Sequence, residues 1–145
     1  LRPMPEEVIG ARLIPLLLSR HILLDSFAHR NLIPFVLQPA VNRSDKVGLL
    51  CEPAFRRWVI PQVIKILHVH ETTVRLALLA HFHLYMRYFT ESELHTVLFE
   101  LSLSMQDTDD RLVSASLHAM AHLVTVIGGP AVTGKLEFIL TSSNM

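Results

Sequence analysis

A single cysteine stands in the 145 residues, so no intrachain disulfide can form and a disulfide-stapled scaffold is excluded. With no secretory leader at its start, the one thiol, Cys51, points to a reducing, intracellular compartment. Charge of one sign is also lacking. The 13 Lys and Arg balance 13 Asp and Glu, and the pI is near 7.3, which removes the field expected of a nucleic-acid binder or a polybasic membrane module. Runs of about 18 uninterrupted apolar residues, the length needed to span a bilayer, are absent as well. What is present is apolar bulk: half of the residues are hydrophobic and the mean hydropathy is +0.38. The surplus apolar surface is expected to face protein. The length suits one domain, with a core large enough to need no metal. Because the sequence opens at Leu1, it is expected to be a piece of something larger.

Proline and glycine divide the chain into segments with apolar residues at 3- and 4-residue steps, which predicts an all-α fold. The first helix is expected over about 6–19, with Val8, Ile9, Leu13, Leu16 and Leu17 as its stripe. A second follows Asp25 or Ser26 to about Gln38, kinked or shortened by Pro34. Residues 39–52 lack a stripe and read as a long loop. A third helix runs from about Pro53 to Leu67, bent at Pro61, and a fourth from Glu71 to Phe89, apolar on most sides. Thr90-Glu91-Ser92-Glu93 matches a capping box and starts a fifth helix, to about Met105. Asp107 or Asp109 caps a sixth, stopped near Ile127 by Gly128-Gly129-Pro130.

Six helices with short turns pair into about three hairpins, 6–38, 53–89 and 90–129. An apolar series recurs after Arg30, Arg75 and Val113, at separations of 45 and 38 residues. Such periods fit an α-solenoid of HEAT- or armadillo-like repeats, in which each hairpin buries its spare apolar face against the next. Residues 130–145 form an atypical tail.

Several stretches, ARLIPLLLSR (11–20), LIPFVLQP (32–39), AFRRWVIPQVIKILHVHETTVRLALLAH (54–81), YFTESEL (88–94) and MQDTDDRLVSASLHAMAHLV (105–124), resemble the HEAT-repeat region that follows the kinase-like domain in the Scy-like pseudokinases. The resemblance implies a non-catalytic scaffold in membrane traffic or ezrin-linked cortical organisation. It implies ezrin-type or trafficking proteins as partners and a cytoplasmic place, peripheral at the Golgi or the cell cortex. It also implies flanking domains. A kinase-like domain is absent from this sequence: there is no Gly-rich phosphate loop after a strand, no HRD and no DFG. An alternative role is intramolecular support, docking a pseudokinase lobe and further repeats.

Gly129 to Lys135 has P-loop spacing, but Leu136 stands where a magnesium-binding hydroxyl is needed, so it reads as a helix-stopping turn. His118 and His122 share a helix face, yet a zinc site needs further ligands, and no metal or cofactor is expected. Phe55-Arg56-Arg57-Trp58 brings too few cations for nucleic acid or phosphoinositide, and reads as a solvated face with Trp58 packed inward. Cys51 reads as a buried or inert thiol. No nucleophile and base are arranged for catalysis. One polar stripe, Arg111, Ser114, His118, His122 and Thr125, is expected to line a concave groove beside a poorer one on the fourth helix. Arg75, His83, Arg87, His118 and His122 are the groove's candidates for meeting an acidic or helical segment of a protein partner. Arg75 has a competing structural role, bridging to an acidic residue of the adjacent repeat.

Overall fold

The computed structural model describes residues 5–40 and 48–130, and these are all-helical apart from one isolated bridge between Ala40 and Cys51. The chain divides into two compact units, Leu1–Ile66 and Leu67–Met145.

The first unit is built from α1 (6–17), α2 (Arg20–Leu23), α3 (26–36) and most of α4 (52–67). Prolines shape three of these helices. Pro15, Pro34 and Pro61 each follow an isoleucine and each sits at the start of a fresh α-helical piece, where the missing N–H is tolerated. Before Pro15 and Pro61 the helix widens into π-type turns, Ile9–Leu13 and Phe55–Val59. There the Ile14 and Ile60 amides reach back five residues, to the Ile9 and Phe55 carbonyls. Pro34 instead splits α3 at Leu32. Asp25 caps α3 by accepting from the Ala28 amide at 2.9 Å.

Helices α1 and α4 meet through their widened turns. Gly10 is required there, since a Cβ would lie 2.2 Å from Cγ of Trp58. The Glu6 carboxylate accepts from the Cys51 amide at 2.9 Å, so α1 supplies the cap of α4. Of the predicted loop, residues 41–47 lie outside the description, but its base is ordered. Ala40 donates to the Leu50 carbonyl at 2.7 Å and Leu49 to the Phe35 carbonyl at 3.2 Å. Gly48 lets the two segments close, for a Cβ would stand 2.2 Å from the Gln38 carbonyl oxygen. The core holds Ile14, Leu18, Leu23, Ile33, Leu37, Leu50, Phe55 and Ile60.

The second unit contains α5 (Thr72–Leu79), α6 (82–88), α7 (Glu91–Ser104) and α8 (Asp110–Ile127). The single helix expected over 71–89 is broken at Ala80-His81 without any Pro or Gly. The Tyr85 hydroxyl donates to the Leu78 carbonyl at 2.8 Å, and Phe82, Tyr85 and Phe89 pack as an aromatic cluster with centroids 5.4 to 6.3 Å apart. Burying three rings together overrides helix continuity. The capping box at Thr90 is complete: Thr90 Oγ1 accepts from the Glu93 amide and the Glu93 carboxylate accepts from the Thr90 amide. Asp109 caps α8, which ends at Gly128 with φ of +89°. Arg75 and Val113 are each the fourth residue of their helix and Arg30 is the fifth of Ser26–Asn31. Their surroundings differ, exposed for Arg30, buried for Arg75 and intermediate for Val113.

Candidate interaction surface

Among the five groove candidates, Arg75 is corrected first: it is 4% exposed and belongs to the interior. Its guanidinium pairs with the Glu100 carboxylate and donates to Ser104 Oγ, to the Glu100 carbonyl at 3.2 Å, to the Leu67 carbonyl at 2.6 Å and, from Nε, to the Val69 carbonyl at 3.5 Å. Leu67 ends α4, so Arg75 satisfies one of the orphan carbonyls at that terminus while neutralising a carboxylate on α7. A fork of five donors fits this task and leaves none for a partner. Glu100, likewise 4% exposed, is met from the solvent side by His68 Nδ1 at 2.9 Å and His70 Nε2 at 3.4 Å. A small cavity of about 180 Å³ opens beside this knot, between His70, Thr72, Arg75, Ser104 and Asp107. Glu100 and Ser104 escaped the sequence reading. A lone acid in the apolar run of α7 was the available signal.

The other four candidates are exposed on the second unit. Helix α8 buries Leu112, Ser116, Ala119, Met120 and Leu123, and packs against α5, α6 and α7. That choice of face turns Arg111, Ser114, His118, His122 and Thr125 to solvent, all five on one stripe. From α6, His83 comes up beside His122, with ring centroids 6.1 Å apart and planes tilted by 37°, and Arg87 is exposed one turn further on. The structure therefore brings His83 and His122 together and separates Arg75 from them by burial. Among the described residues, His83, Arg87, His118 and His122 enter no ion pair. Arg111 is committed to Asp109 at 2.9 Å, and the hydrogen bonds from Arg111 hold the Asp109 carboxyl below its ordinary range. Val126, one turn beyond His122 and 39% exposed, gives the same face an apolar component, while Leu117 and Val124 lie on its flank, about 100° or more around the helix.

Elsewhere, Cys51 is exposed rather than buried. A hydrogen bond from the Ala54 amide favours its thiolate, but the Glu6 carboxylate and a small desolvation outweigh it and raise the thiol above its ordinary range. Arg56 pairs with Glu52 at 3.0 Å, and the Arg57 guanidinium lies over the half-buried Trp58 ring. Residues 131–135 of the P-loop-like stretch, and the rest of the tail, lie outside the described residues. No group of three or more potential metal ligands and no helix long and apolar enough to cross a membrane occurs among the described residues.

Compared with known proteins, the chain is 34% identical over 132 residues to a Mus musculus protein named protein-associating with the carboxyl-terminal domain of ezrin. The aligned region takes in 89% of this chain and 18% of the relative, so the chain spans about a fifth of that protein's length. No family profile matches the chain, and no solved structure does.

Proposed function

From this similarity to an ezrin-associating protein, we propose that the chain is a non-catalytic protein-interaction segment that recognises a partner through the outer face of α8 and α6. In this reading residues 6–129 stack as HEAT-like hairpins of a Scy-like pseudokinase scaffold. It acts at the cytoplasmic side of membranes in traffic or at the ezrin-linked cortex. The observation that carries it is the exposed stripe of His118 and His122 with His83 and Arg87 alongside and the exposed Val126 one turn beyond His122. A face with that composition suits an acidic, amphipathic segment, because charged groups set orientation and association rate while the apolar contact adds affinity.

The test is calorimetric titration of the 145-residue chain with the carboxyl-terminal domain of ezrin, wild type against the double variant Arg87→Glu/His122→Glu. Binding should weaken at least about tenfold while the thermal midpoint stays nearly unchanged, since both residues are exposed. Equal affinity would remove this face from the proposal. A second reading, that the face packs against other segments of a longer chain, draws on Leu117, Val124 and Val126, all exposed. Aggregation of the isolated chain, relieved by adding flanking sequence, would favour it.

A further inference from the structure

Beside the crossing of α1 and α4, within the first unit, lies a groove of about 310 Å³. Gly10 and Pro15 line it from α1, and Arg57, Trp58, Pro61 and Lys65 from α4. Its chemistry is one-sided. The only charged side chains of the lining are Arg57 and Lys65, both cations, and among the described residues neither enters an ion pair. Between them lie a half-buried indole and two proline rings. Trp58 is seated against the bare backbone of Gly10, and the Arg57 guanidinium rests 4.9 Å from its ring centroid. A cation over the ring is attracted by its electron-rich face.

We infer that this groove binds a short, extended, acidic peptide segment, with a proline or aromatic side chain against Trp58 and carboxylates at Arg57 and Lys65. Two features select that occupant. Aromatic-and-proline-walled grooves favour pre-extended polyproline-like chains, which lose little entropy on docking. Finally, eight residues of helix separate Arg57 from Lys65 by about 12 Å, and four polyproline-type residues cover about the same distance. One phosphate or one inositol headgroup needs converging cations, whereas two carboxylates four residues apart match this separation. The inference stands apart from the α8 face, because it concerns different residues in the other unit.

Trp58 is the sole tryptophan, so its emission reads the groove directly. The capped peptide EPFPE, titrated into the 145-residue chain at low salt, should change that emission saturably. Arg57→Glu/Lys65→Glu should weaken the binding at least about tenfold at unchanged helical circular dichroism, and raised salt should weaken it too. Lys65→Gln, a milder change at an exposed site, should weaken it by about threefold. The capped peptide KPFPK should give no saturable change. The inference is overturned if EPFPE gives no saturable change, if KPFPK binds equally well, or if both variants bind like wild type. Saturable binding of inositol hexakisphosphate without binding of EPFPE would also overturn it, by assigning the site to phosphate.

Discussion

Replacing Arg75 with Met should be the most damaging single change on the second unit. Glu100 has 6% of its side-chain surface exposed, and among the described residues Arg75 is its only permanently charged partner. His68 and His70 reach it from solvent and are 54% and 64% exposed, so they soften the loss without replacing the guanidinium. Stranding a buried carboxylate costs about 3–5 kcal/mol; the histidines and access of water put this case near the lower end, about 3 kcal/mol. The orphaned Leu67 carbonyl and Ser104 hydroxyl act in the same direction. In a unit of this size about 3 kcal/mol corresponds to a fall in the thermal midpoint of roughly 12–24 °C. Thermal and urea unfolding followed by circular dichroism measures it. The companion variant Arg75→Met/Glu100→Leu, which removes both charges, should recover most of the loss, because a buried pair replaced by apolar groups is often neutral in stability. A single-variant loss under about 1 kcal/mol, or a double variant as unstable as the single, would refute the assignment of Arg75 to the interior.

Thr90→Ala removes one arm of the capping box and should cost about 1 kcal/mol in urea unfolding, with the Thr90→Ser variant close to wild type. Tyr85→Phe removes the hydroxyl bond to the Leu78 carbonyl, which still accepts from the His81 amide at 3.2 Å, and should cost about 1 kcal/mol. Because burial pushes the Tyr85 phenol well above its ordinary range, spectrophotometric titration should find it silent until the chain unfolds. Asp109 is held below its ordinary value of 3.8 by Arg111, so its contribution is present above that value and is lost as pH falls through the depressed one. Acid unfolding of Asp109→Asn should therefore show a weaker pH dependence below about 4 than wild type.

Much of the architecture was legible because its causes are local. The Thr90–Glu93 box, the Asp25 and Asp109 caps, the interruptions at Pro34 and Pro61 and the stop at Gly128 all depend on residues within a turn of one another. The exposure of His118 and His122 follows from the 3.6-residue period of α8 once its apolar stripe is read. The break at Ala80-His81 was not legible, since it is imposed by an aromatic cluster and not by the two residues that bend. The partner of Arg75 was not legible either. A structural bridge to an acidic residue is the favoured of two roles for that arginine from sequence, but Glu100 lies 25 residues later on another helix, and no local pattern names it. The short helix Arg20–Leu23 passed unnoticed because four residues carry no period.

The widened turns of α1 and α4 have a consequence for how these rods tolerate change. A π-type turn holds one residue more than an ordinary turn, so the side chains before it are rotated by about 100° from where an unbroken α-helix would aim them. Deleting one residue anywhere in 9–13 would let α1 straighten and would swing its leading end around the axis. Glu6 would leave the Cys51 amide, and a bulkier neighbour would be carried toward the indole that now rests on Gly10. Each rod is thus two short screws clocked separately. Its length in residues, more than the identity of any one of them, keeps both ends facing the surfaces they grip.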